Sequence, residues 1–219
     1  MTRFFDLLFS SIAIIILSPI FIITIIILKC TGEHEIFYLQ PRMGKNNKQF
    51  NIVKFATMLK NSPNMGARDV TIRNDPRILP FGKFLRKTKI NELPQLFNIF
   101  IGQMSIVGWR PLMVHSYEMY TEEVKSYLSK IKPGLSGVGS IIFRDEEKYY
   151  QDLPNPHEFY CNVILPYKGQ CEIWAAQHKG LKLYFQVIIL TIISVIKPKS
   201  NLYLKWFKGL PERPEELPY

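Results

Sequence analysis

The sequence predicts a mainly α protein with few short strands, attached to a membrane through its N-terminal end. Three observations predict this. Residues 7–28 carry no charged side chain and are dominated by isoleucine. Such a run is long enough to cross a hydrocarbon core of roughly 30 Å at about 1.5 Å per residue. Beyond it, apolar residues recur mostly at helical spacing, as at Leu93, Leu96, Phe97, Phe100 and Ile101. Strand-like character is confined to a short stretch around Phe50, Ile52 and Phe55.

Length and charge bound the rest. At 219 residues the chain is expected to form one compact domain, residues 33–210, after a membrane element, residues 1–32, with a frayed tail at 211–219. Twenty-eight Lys and Arg against 18 Asp and Glu give a net charge of +10, which points to anionic partners: nucleic acid, a membrane surface or phosphorylated substrates. Zinc-finger spacing, an RNA-binding aromatic motif and a basic dimerising helix are all absent, so no nucleic acid is expected. Cys30, Cys161 and Cys171 form no metal-ligand pair and are read as reduced thiols. The histidines, likewise, form no metal pair.

In order along the chain, Arg3 and Lys29 flank the apolar run, and Ser18-Pro19 interrupts it near its middle. Proline removes a backbone hydrogen bond and crowds the preceding turn, so a kink is expected there. The run is too long for a signal-peptide core and no cleavage site follows it. A spanning helix and one that turns back both remain open on these residues alone. Residues 40–48 form a basic, turn-rich segment before the strand, and 60–69 read as a loop. Residues 79–86 suit a short helix. Pro94 and Gly102 suit the start and end of the next one, placing Asn91 and Glu92 at or just before its N-terminus. Arg77, Lys83, Arg86, Lys87, Lys89 and Arg110 bracket that carboxylate, a pattern that suits either phosphate handling or an ordinary solvated basic surface. Arg110-Pro111 is a stiff turn presenting a planar fork that matches phosphate oxygens.

Tyr117, Tyr120, Val124, Tyr127, Leu128 and Ile131 predict one helix, ended by Pro133-Gly134. The three glycines between 134 and 140 would let backbone approach a ligand, although such a loop alone is a weak signal. Asn155-Pro156 caps a further helix, and a long one is expected from Glu172 onward. Its apolar part, 183–196, is too short to span and is expected at the interface or packed on the N-terminal element. Lys197, Lys199, Lys205 and Lys208, with Tyr203, Trp206 and Phe207, suit a headgroup layer.

The run LRKTKINELPQLFNIFIGQMSIVGWRP resembles the signature of the bacterial sugar transferases, the monotopic polyprenyl-phosphate phosphoglycosyl transferases. Asn74-Asp75-Pro76-Arg77, Lys54-Phe55 and residues 132–137 agree with it. The pattern departs at Asn91, where the family carries its nucleophilic Asp, at Trp109 in place of Pro, at Ala56 in place of Arg, and at Tyr184 in place of Asp. The resemblance implies a re-entrant helical hairpin hinged at Ser18 and Pro19 and a domain on the cytoplasmic face of the bacterial inner membrane. It implies transfer of a sugar-1-phosphate from a nucleotide sugar, expected to be a UDP-sugar, to polyprenyl (undecaprenyl) phosphate, initiating exopolysaccharide or lipopolysaccharide synthesis. Glu92 and Asn91 are the expected catalytic pair, with Glu92 also the ligand of Mg²⁺. Lys54, Arg86, Arg110 and Arg144 are the expected substrate contacts. The lipid bilayer, a second copy of the chain and downstream glycosyltransferases are the expected partners. An uncharged Asn91 cannot act as the family's nucleophile, so the alternative is a catalytically impaired homologue that binds substrates or serves as a scaffold.

Overall fold

The computed structural model describes residues 1–65, 75–144, 146–149, 153, 155–198 and 200–217. Asn74, Lys199 and part of the 60–69 loop, all used above, lie outside them. Helices dominate. α1 (Thr2–Cys30) leads to a two-stranded sheet, β1 (Phe37–Met43) with β2 (Gln49–Phe55), then α2 (Pro80–Lys87) and α3 (Gln95–Phe100). After β3 (Ser105–Val107) come α4 (Val114–Glu118), α5 (Glu122–Leu128), β4 (Gly134–Ser136) and α6 (Val138–Ile142). The C-terminal part holds α7 (Pro156–Phe159), which runs through a π turn into α8 (Leu165–Gln177), then α9 (Leu181–Ile196) and α10 (Leu202–Trp206). Two compact units are interleaved along the chain: residues 1–6, 42–50 and 102–219 form one, and 7–41 with 51–101 form the other.

In the second unit, α1 buries a single stripe. Phe21 and Leu28, with Leu17 and Ile25, pack on Phe55, Leu85, Ile90 and Leu93. The remainder of the helix is bare: Ile12, Ile15, Ile16, Ile20, Ile22, Ile23 and Ile26 are exposed, an apolar surface that water does not favour and lipid does. The helix continues through Pro19 without interruption. Pro19 has no N–H for the carbonyl of Ile15, and the Ser18 hydroxyl donates to that carbonyl instead at 2.8 Å. At the C-terminal end, Thr31 Oγ1 donates to Ile27 O, and His34 Nδ1 lies 2.8 Å from Lys29 O.

α2 forms where the sequence places it, with Pro80 in its first turn and Leu85 fully buried. α3 divides its apolar stripe: Leu96 is buried, with Gln95, Asn98 and Ile99, while Phe97, Phe100 and Ile101 are exposed. Asn98 accounts for part of the buried face. It donates to Asn51 O and accepts from Val53 N, closing backbone groups of β2 with a side-chain amide.

In the first unit, β3 and β4 pair in parallel, Ser105 with Gly134 and Val107 with Ser136. A Cβ at Gly134 or Gly137 would collide with the backbone of Gly108, so these glycines serve a crossing of two backbone segments rather than a ligand. The single helix expected over 117–131 is two. Thr121 caps α5, accepting from Val124 N at 3.4 Å, and Tyr120 N–H already bonds Tyr117 O. The long helix expected from Glu172 is likewise broken, because His178 turns back toward Trp174 O and Gly180 is extended. α9 buries Leu183, Tyr184, Val187 and Leu190 and leaves Ile189, Ile192, Val195 and Ile196 exposed. Tyr203 and Phe207 belong to the core rather than to a headgroup layer. Within the tail, residues 211–217 are held rather than frayed: Leu217 is buried, and Arg213 donates to Leu217 O, Tyr203 OH and Tyr149 OH.

Candidate active site

The Asn91-Glu92 pair lies in the second unit, on a 3-10 turn, Ile90–Glu92, that follows α2. Lys89 enters it in the left-handed region at φ 61°, which turns the chain sharply before the pair. Asn91 is buried and Glu92 half-buried. Among the described residues, the buried side-chain oxygen Oδ1 of Asn91 has no hydrogen-bond partner. An amide oxygen left unmet in this way costs free energy unless something completes it.

The cations around the pair divide into two kinds. Arg77 is buried and structural: its guanidinium grips Asp75 through Nε and Nη2 and donates to the carbonyls of Ser62 and Met65. It therefore does not belong to an open ring of cations around Glu92. Arg86 is different. Its Nη1 reaches Thr57 Oγ1 at a long 3.5 Å. Burial lowers its pKa most, while the charges of Asp75 and Glu92 oppose that and Arg77 reinforces it. The guanidinium stays cationic, held among two carboxylates and a second arginine. Lys54, on β2, is half-buried in the same unit.

Arg110 and Arg144 belong to the other unit. Arg110 is exposed in the turn after β3, and Arg144 Nη1 donates to Ser194 Oγ on α9 at 2.8 Å. The structure thus brings Arg86, Asn91 and Glu92 together, and it places Arg110 and Arg144 on a separate body. Ser18 and Pro19 lie in mid-helix on α1, not in the site.

Several residues outside the expected site have defined places, and one of them, Asp6, was passed over in the sequence. Asp6 is buried in the first unit and accepts from Ser105 Oγ, Ile106 N and Tyr184 OH, each at 2.9 Å. Tyr184 therefore acts as a donor to a carboxylate. Trp109 is a core anchor, 1% exposed, packed on Tyr117 and donating from Nε1 to Ile131 O. Glu172 is buried over Gly139, and burial pushes its carboxyl up to about 7 against the pull of Lys168 and the Gly139 N–H. A lone acid ahead of the apolar run was the only sequence signal for Asp6.

No group of three His, Cys, Asp or Glu able to enclose a metal occurs among the described residues. One half-buried carboxylate beside an unmet amide oxygen nevertheless fits Mg²⁺, which takes hard oxygen donors, commonly one or two carboxylates with waters and substrate phosphates.

Residues 1–198 match the family described as bacterial sugar transferase. An uncharacterized sugar transferase of Haemophilus influenzae is 40% identical over 67% of this chain and 34% of its own length. The exopolysaccharide production protein ExoY of Sinorhizobium fredii is 36% identical over 67% of this chain and 71% of its own. The UDP-glucose:undecaprenyl-phosphate glucose-1-phosphate transferase of Klebsiella pneumoniae is 36% identical over 64% of this chain and 30% of its own. The chain thus spans about a third of the Haemophilus and Klebsiella proteins.

Proposed function

Because the chain belongs to the bacterial sugar transferase family, we propose that it moves a sugar-1-phosphate from a UDP-sugar to undecaprenyl phosphate, in the cytoplasmic leaflet of the inner membrane. The observation that carries this reading is the grouping of Arg86, near the end of α2, with Asn91 and Glu92 on the turn that follows, Asn91 Oδ1 being left unmet among the described residues. Two relatives named for phosphate transfer to undecaprenyl phosphate, from Klebsiella and from Salmonella typhimurium, support it.

In the reaction, an oxygen attacks the phosphorus that bears the sugar, and the bond to the nucleoside monophosphate breaks. Glu92 is the ionisable member of the pair, so it carries the chemistry. It either attacks the phosphorus, to be displaced by the lipid phosphate, or takes the proton of a monoprotonated lipid phosphate that attacks directly. Asn91 cannot ionise and orients the ligand through Oδ1. Arg86 stabilises the charge gathering on the phosphoryl oxygens, with Lys54 of the same unit proposed to hold substrate phosphate, and Arg110 and Arg144 are proposed as phosphate contacts on their own unit. Glu92 and Asn91 Oδ1 would hold Mg²⁺, which when bound neutralises pyrophosphate charge. The bare face of α1 keeps the lipid substrate's tail in the bilayer while its phosphate is presented to this turn.

Membranes containing the chain, incubated with labelled UDP-sugars, should release UMP and form a lipid-linked product. Glu92→Gln should reduce that rate by about 100-fold or more. The alternative of a substrate-binding relative without turnover predicts no product with any nucleotide sugar, and indifference to Glu92→Gln.

A further inference from the structure

A cleft of about 180 Å³ in the first unit is lined by Arg3, Lys45, Lys130, Lys132 and Lys179. Among the described residues, two acids line it, Asp6 and Glu172. Both are otherwise engaged: Asp6 accepts three donors, and Glu172 lies over Gly139, where burial makes its carboxyl hard to ionise. Five cations against two acids leave the cleft net positive. Two of its cations also converge. A Cβ on Gly102, beside the cleft, would lie 3.2 Å from Arg3 Nη2 and 3.4 Å from Lys132 Nζ, so two like charges face the same small space. Burial and the charges of Arg3 and Lys45 push the Lys132 ammonium down, against the opposing pull of Asp6. Gathering like charges in a partly desolvated space is unfavourable, and a bound anion would offset that repulsion.

Two more features agree on an anion. The N-terminal end of α9 borders the cleft through Gly180, Leu183 and Tyr184, and Gly180 offers no side-chain cap. The first-turn N–H groups of this 16-residue helix add donors and a positive dipole end. Farther along α9, Ile189, Ile192, Val195 and Ile196 are exposed, an apolar face suited to acyl chains. Lys54, Arg86, Asn91, Glu92, Arg110 and Arg144 do not line the cleft.

We infer that this cleft is a second phosphate-binding site, which takes the phosphate of a lipid headgroup or of a soluble phosphate. The apolar face of α9 favours the headgroup. The inference does not depend on the transfer reaction.

The test uses the full chain in neutral detergent micelles, titrated separately with phosphatidylglycerol, phosphatidylcholine and inorganic pyrophosphate. Melting temperature and tryptophan emission are read together, since Trp109 lines the cleft. Phosphatidylglycerol should raise the melting temperature saturably, and phosphatidylcholine should do so far less. Lys132→Gln and Lys179→Gln should each weaken apparent affinity by about tenfold, and Lys208→Gln, outside the cleft, should leave it unchanged. A lysine-dependent response to pyrophosphate alone would assign the site to a soluble phosphate, which also supports the inference. If Lys132→Gln melts without ligand, Lys45→Gln takes its place beside Lys179→Gln. Equal affinity of the natural chain and these variants for both ligands, or no saturable response to either, overturns it.

Discussion

Asn91 and Glu92 are adjacent in sequence yet differ in what they can do, because one is a buried amide and the other a half-buried acid. Asn91→Asp would place a second carboxylate beside Glu92 and fill the unmet position with charge. With Arg86 close by, the expected outcome is tolerated or raised turnover, measured as UMP release. Arg110→Lys keeps the charge but loses the planar fork, and a fall of about tenfold or more in kcat/KM for the nucleotide sugar is expected. Full activity in both Arg110→Lys and Arg86→Lys would remove these arginines from phosphate recognition. Glu172 gives a pH signature. Its carboxyl rises from 4.5 in the unfolded chain to about 7 in the fold, chiefly through burial. The folded state then keeps a proton that the unfolded chain releases. The stability this supplies is present below pH 4.5 and is lost as pH rises through 7. Melting in micelles should show the natural chain losing stability on the order of a few kcal/mol across that window. Glu172→Gln should flatten the dependence.

At the scale of the element, α1 is a 29-residue helix, roughly 43 Å if straight, longer than a hydrocarbon core of about 30 Å. A proline at its middle and basic residues at both flanks suit a bend that returns the chain to the side it came from. Cysteines introduced at Thr2 and at Lys29 should then be labelled by an impermeant reagent from the same side of the membrane; labelling from opposite sides would show a spanning helix. The Ser18 hydroxyl makes a more specific prediction. It serves the Ile15 carbonyl because Pro19 cannot. Ser18→Ala should cost about 1–2 kcal/mol with Pro19 present, and much less in a Pro19→Ala background, where a backbone N–H returns. Additive losses in that double-mutant cycle would mean that the hydroxyl plays no compensating part.

Over the whole molecule, what the sequence revealed was what neighbouring residues decide together. The apolar run, α2, and the turn carrying Asn91 and Glu92 follow from local spacing, proline and glycine. Arg77, read as one of several open cations, proved to be clamped on Asp75, because the carbonyls of Ser62 and Met65 complete its shell from 15 and 12 residues away. Asp6 was invisible for the same reason at longer range: its partners Ser105 and Tyr184 lie 99 and 178 positions along the chain. Spacing identified the apolar stripe of α3 but not which of its residues are exposed, Phe97, Phe100 and Ile101. Tyr203 and Phe207 were read as interfacial aromatics, and the chain's turn after α9 carries them inward.

The place of Asp6 bears on how this protein can be shortened. Trimming away the greasy N-terminal helix is the customary route to a water-soluble fragment. Here a cut after Cys30 would also take out residues 1–6 of the first unit, and with them the carboxylate that holds Ser105, the Ile106 amide and the Tyr184 phenol of that unit. Three donors would lose their acceptor at once. Such a fragment should aggregate or melt early, whereas replacing exposed isoleucines of the helix with polar residues, leaving Thr2–Asp6 in place, should yield a folded and less detergent-dependent protein.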